Sequence, residues 1–344
     1  MTPPSVSAVR DVEGKPFAGG VPARLALPVI AAPMFLVSGP ALVIACCRAG
    51  IVGTMPALNQ RTSEGFADWL GEIRTALCTE RERPFFGVNL IVHSTNPRLQ
   101  QDLKICREYE VPLVITSLGI APELVREVHT YGGLVFHDVV SRRHAEKAAA
   151  AGVDGLILVC GGAGGHAGTA NPFAFIAEVR AFFGGTIVLA GGISTGAHVA
   201  AAEVAGADLA YMGTRFVATQ ESLADPEYKQ LILNSGIQDV IYTPAVSGVP
   251  ANFLRGSLER SGLLRDGQVH SLGAKSHGIG EEQGSQPQPW KDIWSAGHGV
   301  GAISDVPNVA DLVTRMTNEY RSAIRQVERR VASKEALSVP QTHG

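Results

Sequence analysis

The segment Cys160-Gly-Gly-Ala-Gly-Gly-His-Ala-Gly168 sets one imidazole among five glycines, directly after the apolar run Asp154 to Val159. An imidazole titrates near neutrality and suits a general base or a polar anchor for a small substrate. Glycine costs roughly 0.5–1 kcal/mol against alanine inside an element. So many together imply a backbone that turns sharply or lets something approach closely. Two further glycine turns stand downstream: Gly191-Gly192 ahead of Ser194 and Thr195, and Gly213-Thr214 after the run that ends in Tyr211-Met212. Free backbone N–H groups at such turns bind anions, and two turns of this kind on adjacent strands suit one terminal phosphate.

Other polar residues close apolar runs: Pro33-Met34, Thr54-Met55, Asn89, Thr116-Ser117 and His137-Asp138. His93, His137 and Asp138 are candidate metal ligands. No His-x-His pair follows the first run and no carboxylate closes the last, so the expectation is no metal. His298, in Ala-Gly-His-Gly, is either a phosphate contact or a turn filler. Cys160 reads as a buried apolar thiol, and Cys46-Cys47 as helix packing.

The elements that must position these groups alternate. Short β-branched runs lie at 28–32, 51–55, 85–91, 112–117, 133–138, 155–160, 186–190 and 208–214. Most are continuously apolar, as parallel strands buried on both faces are. Helical stretches near 39–49, 64–75, 97–109, 121–131 and 173–183 separate them. Two more are punctuated by Ser141 and Gly152, and by Ser194 or Thr195 and Gly206, as caps and terminators. Eight such repeats predict an α/β protein built as a (β/α)8 TIM barrel, whose chemistry lies at the C-terminal strand ends. A doubly wound sheet would place Gly-x-Gly-x-x-Gly after the first strand, and 31–39 does not. Residues 1–220 and 300–335 are expected to form the barrel, with a final helix over roughly 305–335 packed back on its wall. Residues 221–300, rich in Gly, Ser, Pro and Gln, read as an irregular lid over its mouth in the same domain.

Composition narrows the class. The chain has 344 residues with a formal net charge of −3 and a pI near 6.4. That charge balance argues against nucleic acid and acidic membrane partners. Five cysteines without a Cys-x-x-Cys pair indicate neither a disulfide framework nor a zinc knuckle. The first residues lack the apolar core of a secretory signal, and no apolar stretch reaches the ~18 residues of a membrane span. A cytoplasmic protein acting on small molecules is expected; its oligomeric state, homodimer included, stays open.

The ordered set Ala-Pro-Met (32–34), Phe-Gly-Val-Asn (86–89), Ala-Gly-Gly-His-Ala-Gly (163–168), Ala-Gly-Gly-Ile (190–193) and Met-Gly-Thr (212–214) resembles the nitronate monooxygenase family, formerly the 2-nitropropane dioxygenases. The FMN-dependent enoyl-ACP reductases are related to it. The likeness runs from about residue 28 to 218, and Trp294 to Gly299 resembles the family's closing loop. It implies a TIM barrel with non-covalent FMN that oxidises nitronates or nitroalkanes with O2 to a carbonyl compound and nitrite. Pro33 and Met34 would lie along the ring, and Asn89 would hydrogen-bond flavin or substrate. Gly164 would let the ring approach, while Gly191, Gly192, Tyr211, Met212, Gly213 and Thr214 would hold the ribityl and phosphate end. His166 would be the base or the orienting group. The chain departs from the family's pattern at Ala31, at Gly162 and at Asp138, where some members carry lysine, so Arg142 or Arg215 is expected to neutralise the phosphate. One alternative keeps FMN but uses NAD(P)H with a quinone or enoyl thioester. Another is a flavin-free phosphate-binding isomerase or lyase.

Overall fold

The computed structural model describes residues 25–77, 84–272 and 287–338; the expectations for the N-terminal residues 1–24, for Cys78 and for 273–286 lie outside it. Six parallel strands come first: β1 (Val29–Ala31), β2 (Val52–Pro56), β3 (Gly87–Ile91), β4 (Leu113–Ser117), β5 (Leu134–Val139) and β6 (Gly155–Val159). A two-residue strand, β7 (Gly165–His166), lies off the barrel. Then β8 (Thr186–Ala190) and β9 (Leu209–Met212) complete it, and β9 pairs back onto β1. Helices α1 (Pro40–Arg48), α2 (Ser63–Leu77), α3 (Leu99–Glu108), α4 (Pro122–His129), α5 (Arg142–Ala150), α6 (Pro172–Arg180) and α7 (Gly196–Val204) surround it, with a single turn, α8 (Thr214–Val217), after β9. This is the expected (β/α)8 barrel.

Local chemistry accounts for the boundaries. Ser141 Oγ accepts from His144 N at the start of α5 (3.3 Å), and Thr195 Oγ1 from His198 N at the start of α7 (3.2 Å). Gly152 and Gly206 follow those helices at φ 86° and 103°, where a side chain would be strained.

Strand residues alternate between two environments, as the two-residue period of a strand demands. Val88, Val114, Val135, Leu156, Leu158 and Ile187 pack against the helices with Phe66, Leu70, Val125 and Ile176. Ile30, Val52, Leu113, Ile115, Phe136, Ile157, Val188 and Leu209 fill the barrel. Counting by twos from that interior set, Asn89, Ser117, Asp138, Val159, Ala190 and Tyr211 end their strands pointing inward. They form the uppermost interior layer.

The segment after β9 is more regular than expected. It holds α9 (Pro226–Leu233), β10 (Val240–Thr243), β11 (Ala251–Leu254), α10 (Arg255–Arg260) and a small hairpin, β12 (Leu264–Arg265) with β13 (Gln268–Val269). The antiparallel pair β10–β11 continues onto β7, with Ala251 opposite His166. Gly and Pro here mark tight turns between short elements.

The final helix, α11 (Val309–Ser338), starts close to the predicted residue 305, after a 3-10 turn at His298–Ala302. Val309, Leu312, Val313 and Met316 pack with Leu42, Val199 and Phe216. A Cβ on Gly196 would sit 1.8 Å from Met316 O, so only glycine lets α11 lie this close to α7. No helix among the described residues is long and apolar enough to cross a membrane.

Candidate active site

A cleft of about 1690 Å³ opens at the C-terminal ends of the strands. Drug-sized ligands occupy about 300–1,000 Å³, so this one has room for a cofactor and a second molecule. Its floor is the uppermost interior layer. Asn89 Nδ2 donates to Ser117 Oγ (2.7 Å) and to Ile115 O (3.2 Å), and Ser117 Oγ donates to Asp138 Oδ2 (2.5 Å). With both amide hydrogens committed, Asn89 has only its carbonyl oxygen left to offer. Asp138 Oδ1 is buried without a partner, and burial pushes the carboxyl up to about 6. Tyr211 lines the same floor, its phenol pushed up by burial and then by the Asp138 charge.

His166 stands on the wall. Its Nε2 lies 3.3 Å from Ser247 Oγ, and its ring meets the Trp290 ring edge-on at 5.0 Å. Ser247 Oγ donates its own hydrogen to Val249 O (3.0 Å). It therefore accepts from His166 Nε2–H, and Nδ1 is left as the basic atom of the ring. Burial pushes this imidazole below its ordinary range, so it is neutral at pH 7. Ser247 and Trp290 belong to the inserted segment, so the pairing of β11 with β7 holds the histidine in place.

The glycines around His166 serve loop-to-loop contact. A Cβ on Gly164 would meet Gly297 N at 3.0 Å and Ala296 C at 3.1 Å; one on Gly162 would meet the His298 ring at 2.9 Å. A Cβ on Gly299 would lie 2.3 Å from Ser194 Oγ and 2.9 Å from Gly192 O. Backbone bonds join the same three loops: His298 N and Gly192 N both donate to Gly162 O (2.9 and 3.3 Å), and Gly297 N donates to Thr214 Oγ1 (2.9 Å). Trp294 anchors the closing loop, stacked on Tyr228 at 5.0 Å with Arg260 3.6 Å from its ring centre. The free space is elsewhere. A Cβ on Gly192 (φ 70°) would touch nothing within 4 Å, and one on Gly213 would meet only Met34 and Ala32, from 3.6 Å. Two residues after Gly192, Ser194 Oγ is buried without a partner.

Most expected residues converge. Pro33, Met34, Asn89, Gly164, His166, Gly191, Gly192, Tyr211, Gly213 and Thr214 all line the cleft. Met212 does not, because its place in β9 turns the side chain outward into the α11 cluster; its carbonyl accepts from Ala32 N (2.9 Å). The glycine at 164 makes room for the 296–297 backbone rather than only for a ring.

Neither expected cation reaches the phosphate turns. Arg215 is 2% exposed and clamps Asp305 (3.1 Å) and Ala218 O (2.6 Å), while Arg142 pairs on the surface with Glu146 and Glu178. His298 fills a turn against Gly162. His137 faces outward to Thr116 Oγ1 (2.7 Å), and burial pushes it down to about 4. Among the described residues no group of three or more His, Cys, Asp or Glu could hold a metal ion. Sequence reasoning missed Ser194, Ser247 and Trp290. Ser194 was legible as the residue between the Gly191-Gly192 turn and the Thr195 cap; the other two come from long-range pairing.

Known proteins share this framework. The family model for nitronate monooxygenase matches residues 92–319, about two-thirds of the chain. A hydroxy-methyl-oxo-octahydroindene-carboxyl-CoA dehydrogenase of Rhodococcus jostii is 29% identical over 81% of this chain and 76% of its own. A nitronate monooxygenase of Paraburkholderia phytofirmans is 24% identical over 87% and 94%. FabK from Thermotoga maritima superposes with a TM-score of 0.70 at 26% identity, covering 88% of this chain and 96% of that one. With the barrel, the cleft and this match in hand, the chain belongs to the nitronate monooxygenase family of oxidoreductases.

Proposed function

We propose that the cleft binds FMN and that the protein oxidises alkyl nitronates, or the nitroalkanes that form them on losing a proton, with O2 to a carbonyl compound and nitrite. The observation that carries this reading is one unmet donor at the end of the cleft where two glycine turns leave open space. Ser194 Oγ is buried without a partner, and the Cβ positions of Gly192 and Gly213 are open, which suits one terminal phosphate. The other end has a floor of small and apolar residues, Ala32, Val159 and Ala190, on which a flat ring fits.

FMN, when bound, supplies the exchange of electrons between organic substrate and O2. The chain supplies position and proton control. Gly191, Gly192, Ser194, Gly213 and Thr214 hold the phosphate and ribityl oxygens. Pro33 and Met34 form the ring's edge, while Asn89 and Tyr211 meet it from the floor; Met212 acts only by joining β9 to the first loop. Neutral His166 takes the proton of a nitroalkane at Nδ1, and toward a preformed nitronate, which has already lost it, His166 orients. The described part of 221–300 serves as the lid, through Val249, Pro250 and Trp290.

An absorption spectrum tests the cofactor: the purified protein is expected to be yellow, to release FMN on denaturation, and to bleach when a nitronate is added without air. A colourless protein that takes up no FMN would leave the flavin-free isomerase or lyase. A second reading has its own support. The cleft is far larger than a small nitroalkane needs, and Phe35, Leu36, Leu118, Val140 and Val249 give it an exposed apolar rim. With a CoA dehydrogenase among its relatives, the chain would on this reading reduce an enoyl thioester, with NAD(P)H as the reductant. Steady-state rates with NADH and NADPH, and with a nitronate against an enoyl thioester, separate the two.

A further inference from the structure

Among the described residues Asp138 is the one carboxylate lining the cleft, and none of the cations that line it pairs with Asp138. On β4 its neighbour is Ser117, which gives the single hydrogen bond to Oδ2. On β6 it faces Ile157 and Val159, both apolar. From β3 comes Asn89, already committed to Ser117, and from β9 comes Tyr211, a phenol. His137, next in sequence, points to the outside of the barrel, and His144 and Lys147 of α5 act on it there. Cys160 packs outward with the helices. His166 is on the wall, neutral, and bonded to Ser247.

A carboxylate so placed has its charge opposed by one hydroxyl dipole, and Oδ1 carries no partner at all. Burying an unpaired charge is costly, and the group escapes that cost by binding a proton. In the open cleft water still reaches part of the floor. A flat ligand laid over it removes that water, which raises the carboxyl's proton affinity further. Protonated, Asp138 no longer holds an unpaired charge beneath the ring.

We propose that Asp138 is a binding residue that takes up a proton when the ring of the cofactor covers the cleft floor, so that cofactor affinity and proton uptake are one coupled event. The idea rests on the FMN reading above.

The test is calorimetric and needs no turnover. The full chain, stripped of flavin, is titrated with FMN at pH 7 in buffers of different ionisation enthalpy, and the dependence of heat on buffer gives protons taken up per FMN. The phosphate and His166 contribute equally to wild type and to Asp138→Asn, so the difference between them isolates Asp138. Wild type is expected to exceed the variant by about 0.5–1 proton, and its affinity to fall up to about tenfold per pH unit above pH 7 relative to the variant. Equal uptake with intact FMN binding would overturn the proposal and leave the flavin reading standing. Failure of wild type to bind FMN at all would overturn both. Ser117→Ala provides a second, independent variant: with its only donor gone, the carboxyl is protonated more readily before binding. Its uptake at pH 7 is expected to shrink and the pH of greatest uptake to move upward; an unchanged pH profile would count against Asp138.

Discussion

The charge on Asp138 makes a prediction about stability that is separate from ligand binding. Burial raises this carboxyl from the ordinary 3.8 of an aspartate to about 6. A tenfold change in proton affinity corresponds to about 1.4 kcal/mol, so the ionised form costs the folded chain about 3 kcal/mol. The sign follows from proton binding. The folded state holds the proton more tightly than the unfolded state, so stability is greatest below pH ~4. It declines as pH rises through the interval to ~6 and is constant above. Asp138→Asn removes the titration while keeping an oxygen to accept from Ser117. Its new amide N–H, placed where Oδ1 lacked a partner, carries a fixed penalty of about 1–3 kcal/mol. That penalty is the same at every pH, so the informative quantity is the change with pH. Urea midpoints of flavin-free wild type and variant should be compared at pH 4.5 and at pH 8. The variant is expected to gain about 2 kcal/mol relative to wild type between them, because the unfolded carboxyl is already mostly ionised at pH 4.5. His137 titrates in the same interval with the opposite sign, its folded form pushed down to about 4, but it is common to both proteins and cancels. A stability difference that does not move with pH would refute the claim that an unpaired charge sits on this floor.

Other changes probe the remaining parts of the site. His166→Asn is expected to retain FMN and the oxidation of preformed nitronates while losing about 10²–10⁴-fold on neutral nitroalkanes; equal losses on both forms would make it an orienting group only. Ser247→Ala frees His166 Nε2 from its one partner, so the pH profile for neutral nitroalkanes should shift while FMN affinity stays constant. Gly299→Ala drives a Cβ to within 2.3 Å of Ser194 Oγ and 2.9 Å of Gly192 O; FMN dissociation should quicken, as measured by fluorescence recovery of released flavin. Arg215→Ala removes a buried clamp on Asp305 and Ala218 and should cost about 2–4 kcal/mol in urea unfolding. The FMN dissociation constant of its folded fraction should be unchanged, because Arg215 points away from the phosphate turns.

The barrel was legible because parallel strands buried on both faces leave apolar runs, and because Ser141, Gly152, Thr195 and Gly206 punctuate the helices by local chemistry. Those signals act within four residues of chain, where sequence reading is strongest. The polar floor was half legible. Asn89, Ser117 and Asp138 stood out as strand ends, but their mutual hydrogen bonds depend on register between neighbouring strands. Arg215 misled because proximity to Gly213-Thr214 in sequence says nothing of direction; one turn of helix carries its side chain to Asp305 instead. Met212 misled for the same reason, at a two-residue period. The order within 221–300 was hidden because its strands are four residues or fewer, and one of them, β11, pairs with β7, some eighty residues earlier. No local pattern specifies a partner at that distance.

That distant pairing explains why the glycine segment is placed where it is. His166 needs a fixed direction, yet it sits on a loop with five glycines, which is the most freely jointed backbone in the chain. Three contacts remove the freedom: β11 binds Gly165 and His166 as a strand, Ser247 holds one ring nitrogen, and Trp290 packs against the ring. On the other side, Gly162 and Gly164 admit the backbone of 296–298, which in turn abuts Gly192 and Ser194 through Gly299. The entropy that glycine gives the unfolded chain is therefore offset by interlocking loops that no residue with a Cβ could form. The wall that carries His166 and the turn at Gly192 and Ser194 are joined through that interlock.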